Sequence, residues 1–223
     1  MRDVYGRCKH KRSNRCPECD AELQRGYMTP KNPSAFFTHI RTHLFRDERG
    51  RLGFMTQSQV NGVNDILNTW SPDTDPRIVA YALATAYWET DFTMQPVAEI
   101  GEGRGYRYGA VTGLKGQVYY GRGYVQMTWL ENYKRADKEL HADGTLPPAE
   151  SLVDTPELAL RPDIAAHVMV RGMLEGWFGP PIGQYFTAKL TAWDAARHNI
   201  NGTDNAARIG TIAREFYSAL IGA

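Results

Sequence analysis

Apolar and polar positions alternate along most of this chain with the period of an α-helix. In PSAFFTHIRTHLF, Phe36, Phe37, Ile40 and Leu44 fall on one face. In TQSQVNGVNDILNTW the apolar set is Val60, Val63, Ile66, Leu67 and Trp70. SPDTDPRIVAYALATAYWE opens with Asp75 as a predicted N-cap and Pro76 at the first helical position. WLENYKRADKEL reads as a further helix, and DTPELALRPDIAAHVMVRGMLEGWF as two, each with a proline near its start. A last helix is predicted after Thr203 or Asp204, with Ile209, Ile212, Phe216 and Leu220 on one stripe. Two stretches break the pattern. EIGEGRGYRYGAVTGLKG is too rich in glycine for a helix, and QVYYGRGYVQMTW reads as a short β-ribbon bent at Gly121-Arg122-Gly123. Without internal repeats, the pattern predicts a mainly α domain with one small β element.

Composition adds a boundary. The first thirty or so residues are polar, basic and cysteine-bearing, and MTPKNPS reads as a linker. Residues 1–32 are therefore expected to form a small module and residues 33–223 the main domain, for which 223 residues are ample. The formal net charge of +1 argues against a nucleic-acid binder as a whole. The charge is uneven, however: Arg2, Arg7, Lys9, Lys11, Arg12 and Arg15 face only Asp3, which suits an anionic polymer. No secretory h-region opens the chain. Its longest apolar-rich stretch, IVAYALATAYW, is far short of the roughly 20 residues of a membrane span. The chain is expected to be made and to stay soluble in the cytoplasm, as a monomer without nucleic-acid or membrane partners, and to need release before acting outside.

One residue of the third helix stands apart chemically. The positions three, four, seven and eleven before Glu89 are Ala86, Thr85, Ala82 and Ile78, so Glu89 projects from a small, apolar side. It lies in the last helical turn, where the helix dipole disfavours negative charge, with Trp88 and Phe92 close in sequence. Each effect favours the protonated carboxyl, and a general acid must keep its proton near neutrality. A purely structural glutamate, satisfied by Arg104, Arg107 or Arg122, is the competing reading. The glycine-rich loop offers Glu99 and Glu102 as a second carboxylate, and two opposed carboxyls are the equipment of glycoside hydrolysis.

The segment YYGRGYVQMTW resembles the YYGRGPIQLTW-type signature of family 19 chitinases and related phage endolysins. AYWET resembles the family's H-E-T segment, and RHNINGTDNAARIGTIAREFY its C-terminal I-N-G segment with an arginine on the last helix. FFTHIRTHLF and QVNGVNDIL are similar to the start of many phage members, so the likeness runs from about residue 34 to 223. It implies a lysozyme-like α+β fold and an inverting glycoside hydrolase. Glu89 matches the general acid and Glu99 the base that activates water, with Glu102 as alternate. Thr128 matches the hydroxyl that helps hold that water, and Gln126 a substrate-binding amide. Asn132 and Asn201 match sugar-contacting asparagines, and Arg208 an arginine that pairs with the carboxylates. Tyr119, Tyr120, Tyr124 and Trp129 offer flat faces for pyranose rings, with core packing as the alternative. Trp88 replaces the family's usual histidine, Tyr124 replaces a proline, and the disulfides of plant chitinases are absent. These departures favour the bacterial and phage branch, whose usual substrate is the glycan strand of peptidoglycan. A chitinase is the nearest alternative, and an inactive wall-binding protein the alternative of another class.

The cysteines form a separate motif. CKHKRSNRCPEC has the pattern C-x-H-x5-C-x2-C, and Cys8, His10, Cys16 and Cys19 would make a closed Cys3His set for one structural zinc. A competing set joins Cys16 and Cys19 to His39 and His43, and reduced thiols in a tail are the third reading. Catalysis itself is expected to need no cofactor.

Overall fold

The computed structural model describes residues 26–113 and 115–222. The predicted zinc ligands Cys8, His10, Cys16 and Cys19 lie outside the described residues. The architecture is mainly α with one two-stranded sheet.

Helix α1, Pro33–His43, starts where Asn32 accepts a hydrogen bond from the Ala35 N–H, and it buries Phe36 and Ile40. Helix α2, Gln57–Leu67, begins with a reciprocal capping box between Thr56 and Gln59. Its Gly62 has no room for a side chain: a Cβ there would lie 1.7 Å from the Met94 carbonyl oxygen. Helix α3, Pro76–Glu89, is capped by Asp75 and buried from Ile78 through Tyr87, as an all-round apolar helix must be. Two threonines on it return their hydroxyls to the carbonyls one turn earlier, Thr85 to Tyr81 and Thr90, just past the helix end, to Ala86.

Helices α4, Leu130–Asp143, and α5, Pro162–Glu175, both end on a left-handed glycine, Gly144 and Gly176. Arg171 of α5 binds them together, reaching the carboxylates of Glu139, Asp143 and Glu175 at 2.7, 3.0 and 2.8 Å. Helix α6, Ala206–Ile221, makes the most extensive helix packing among the described residues, against α3. The domain closes on itself where the Lys31 N–H donates to the Leu220 carbonyl at 3.1 Å. Among the described residues no helix is long and apolar enough to cross a membrane.

Strands β1, Val97–Ala98, and β2, Arg122–Gly123, pair antiparallel, with Val97 opposite Gly123 and Ala98 opposite Arg122. Gly121-Arg122-Gly123 is thus not the bend expected from sequence. The chain reverses one step later, where Arg122 and Met127 exchange backbone hydrogen bonds around Tyr124-Val125-Gln126. The reason is burial. Arg122 is 2% exposed, donates to the carbonyls of Val118 and Tyr120 and the Tyr133 hydroxyl, and pairs with Glu157. The glycines beside it serve close approach: a Cβ on Gly121 would meet the Gln126 Oε1 at 2.8 Å, and one on Gly123 the Ala159 carbonyl at 3.0 Å. Two other boundaries differ. The predicted helix at DTPELAL is a 3₁₀ segment, Pro156–Leu160, because Pro162 forces Arg161 into extended backbone. The last helix starts after Asn205, which holds a left-handed conformation, rather than after Thr203 or Asp204.

Candidate active site

Glu89 is the last residue of α3, and its side chain is only 15% exposed. Its Oε1 lies 2.7 Å from Nη1 of Arg197, which is 1% exposed and sits on the 3₁₀ segment Ala195–Asn199. Sequence reasoning gave Glu89 apolar walls, offered Arg104, Arg107 or Arg122 as structural partners and named Arg208 as the functional one. The partner is Arg197. Arg208 instead lays its guanidinium 4.7 Å above the Trp88 ring, and among the described residues it makes no ion pair. The Glu89–Arg197 contact is close but not aligned, and neither atom has a hydrogen bond of good geometry. Arg197 is steadied by its Nε, which donates to the Asp204 carbonyl at 3.0 Å.

The two elements that carry this pair hold further buried polar groups. Tyr81, two turns before Glu89 on the same side of α3, has a buried hydroxyl without a partner. Desolvation pushes its phenol far above the ordinary range; the charge of Arg197 opposes this, while Asp194 and Glu89 add to it. Asn199, fully buried, donates to the carbonyls of Met173 and Pro180 and leaves its own oxygen unpaired. Buried polar atoms left over in a well-packed domain call for an explanation, and a site for a polar ligand is one.

Glu99 follows β1 directly and is held on every side. The Tyr108 hydroxyl donates to Oε1 at 2.9 Å, the Gly121 N–H to Oε2 at 3.0 Å, and its own N–H donates to the Gly121 carbonyl at 2.7 Å. Burial, and then the hydrogen bond and charge of Glu99, push the Tyr108 phenol up to about 12, so it stays a neutral donor. Glu102, by contrast, is exposed on a turn with φ 54°. Of the two loop glutamates, Glu99 is the one with a fixed orientation.

The other residues singled out from sequence divide by what they touch. Gln126 spends its amide N–H groups on the carbonyls of Val97 and Gly123, holding β1 to the reversal. Asn132 donates to the Thr128 carbonyl at 2.9 Å, while the half-buried Thr128 hydroxyl has no partner among the described residues. Tyr120 has one ring face covered by the Arg122 guanidinium at 3.5 Å. Asn201 is exposed, and its N–H donates to the Arg197 carbonyl. Tyr119 and Tyr124 are core residues, so the packing alternative applies to both. Trp129 is 47% exposed and meets the edge of Tyr108, whose other side stacks on Tyr106 at 5.1 Å and 5°. With Tyr106 63% exposed, the three rings form an aromatic wall beside Glu99. Sequence reasoning missed Tyr106 and Tyr108, although their alternation in GRGYRYG was a visible signal.

Backbone strain marks the same region. Among the described residues seven non-glycine positions have positive φ. Asp91, Phe92, Met94, Glu102, Gln126 and Trp129 lie in the loops around Glu99, and Asn205 follows the Asp204 that holds Arg197. For residues as bulky as Phe92, at 67°, and Trp129, at 71°, such backbone persists only where surrounding structure enforces it, commonly at functional sites.

Among solved structures, the chain is similar to chitinase C from Streptomyces griseus, with 20% identity and a TM-score of 0.47 over 86% of this chain and 76% of that one. It is also similar to a bacterial family 19 chitinase, with 21% identity and a TM-score of 0.46 over 85% and 94%. A mutant form of chitinase C gives 20%, 0.47, 86% and 92%. No family model matches the chain, and no curated protein does. At such low similarity the functional case rests on the side chains themselves. They supply two anchored carboxyls of unlike surroundings, one against a buried guanidinium and one against neutral donors. Beside the second stands an exposed aromatic wall of the kind that sugar rings stack on.

Proposed function

We propose that this chain is a glycoside hydrolase that cuts β-1,4 bonds in N-acetylated glycan strands, and that its substrate is bacterial peptidoglycan, as for an endolysin. The observation that carries the reading is the anchoring of Glu99 by Tyr108 and Gly121 next to the aromatic wall of Tyr106, Tyr108 and Trp129. In this reading Glu89 is the general acid. Arg197 lies against one of its oxygens, and the other protonates the leaving oxygen of the glycosidic bond. Glu99, its orientation set by two donors, takes a proton from the water that attacks the anomeric carbon from the opposite face. The Thr128 hydroxyl orients that water. Such a mechanism inverts the anomeric configuration and needs the two carboxyls ~6.5–9.5 Å apart in the substrate complex. Asn201, beside the arginine of the acid, and the free oxygen of Asn132 would contact sugar hydroxyls or N-acetyl groups, which need partners of that kind.

Peptidoglycan is preferred over chitin because of the departures at Trp88 and Tyr124 and because the basic residues 1–15 suit an anionic wall. The test is parallel digestion of purified peptidoglycan and chitin, with new reducing ends read by mass spectrometry. Peptidoglycan fragments with new reducing ends support the proposal. Cleavage of chitin alone would make the protein a chitinase, and binding to walls without new ends would make it a wall-binding protein.

A further inference from the structure

His39 and His43 stand one turn apart on α1 with their rings stacked, centroids 4.2 Å apart and planes within 17°. Glu215 of α6 reaches in from the other side, its Oε2 2.8 Å from the His39 Nε2. One donor atom from each of the three residues lies within 4.8 Å of the other two. We propose that these residues form a binding site for a divalent transition metal of the zinc type, which staples α1 to α6. This site lies within the main domain and does not depend on the cysteine motif.

The chemistry of the donors supports this. Imidazole nitrogen and carboxylate oxygen are zinc ligands, with bonds of about 2.0–2.2 Å, so neighbouring donors in a tetrahedral site stand about 3.3 Å apart. The His39–Glu215 separation of 2.8 Å is slightly below that, as a direct hydrogen bond between the two side chains gives. Binding an ion requires the two stacked imidazoles to turn so that one nitrogen of each faces it in the plane of its ring. The tautomer of His43 is already set: its Nδ1 donates to the His39 carbonyl at 2.9 Å, a group that only accepts. Its Nε2 therefore keeps a free lone pair, the arrangement in which one ring nitrogen is held by backbone and the other takes the metal. His43 is exposed while His39 and Glu215 are half-buried, so water can complete the fourth position. A site with two imidazoles does not suit magnesium or calcium, which take oxygen ligands.

The experiment uses the full chain carrying Cys8→Ser, Cys16→Ser and Cys19→Ser, so that no thiolate remains. Titration with Zn²⁺ in a non-chelating buffer should show about one ion bound, and Zn²⁺ but not Mg²⁺ should raise the melting temperature. Adding His43→Ala or Glu215→Gln should weaken binding at least tenfold and abolish the thermal shift, with the metal-free fold unchanged by circular dichroism. The exposed His43 makes the first of these substitutions safe for folding. With Co²⁺ in place of Zn²⁺, the wild-type site should give visible bands that His43→Ala removes. The proposal is overturned if the thiol-free chain binds no zinc, or if its affinity is the same with and without His43 and Glu215.

Discussion

At the scale of single residues, the site rests on two glutamates with different anchors, and each anchor can be removed alone. Glu89→Gln keeps the shape but cannot donate a proton, so hydrolysis should fall at least ~10²-fold with the melting temperature little changed. A variant with more than half of wild-type activity would remove Glu89 from the acid role. Tyr108→Phe keeps the stack on Tyr106 but deletes the donor to Glu99, so kcat should drop about tenfold with a small change in KM. The same pair of proteins tests a pH dependence. The folded-state Tyr108 phenol is raised from 10.0 to about 12, so its contribution to stability is full below pH 10 and is lost as pH rises towards 12. The stability advantage of wild type over Tyr108→Phe in urea melts should therefore be constant up to pH 10 and shrink above it. Glu89 stood out by a local pattern, a carboxylate on an apolar helix side, whereas the following loop offered both Glu99 and Glu102 and only the family resemblance ranked Glu99 first. Arg197 was not legible, since nothing in DAARHNI shows that the chain folds back to put it against the end of α3.

At the scale of elements, helices with strong start signals were read well. Asp75-Pro76 marks the start of α3 in both sequence and structure, while the Thr56–Gln59 capping box of α2 emerged only in the structure. The misplaced ribbon bend has a tertiary cause. Gly121 and Gly123 look like turn residues, but here glycine admits close neighbours, and tertiary packing around the buried Arg122 decided the local backbone. The same use of glycine at Gly62 lets the loop after α3 cross α2. Gly62→Ala would force the Met94 carbonyl away and should cost about 1–3 kcal/mol in urea unfolding, as overpacking does. Because that loop leads into β1 and Glu99, activity should fall by more than the loss of folded protein explains. Equal losses of activity and folded fraction would show that the loop path does not set the Glu99 geometry.

At the scale of the whole molecule, composition sets the basic, cysteine-bearing start apart from the rest of the chain. Their division of labour is a matter for experiment. Deleting residues 1–25, which spares the core residue Met28, the Lys31 contact and the Asn32 cap, should leave activity on soluble glycan fragments and reduce it on intact walls. That difference should shrink as salt rises and screens the attraction between basic residues and an anionic polymer. Equal activity of both proteins on walls at low salt would show that the basic start does not hold the enzyme there.

The hydrogen bond from Lys31 to Leu220 has a further consequence. With its two ends side by side, the main domain does not need its native chain order. A circular permutant that links residue 222 to residue 31 through a few glycines, and opens between Arg49 and the exposed Gly50, should fold. In that permutant α1 is made last rather than first, and the entrance to the domain moves to a surface turn.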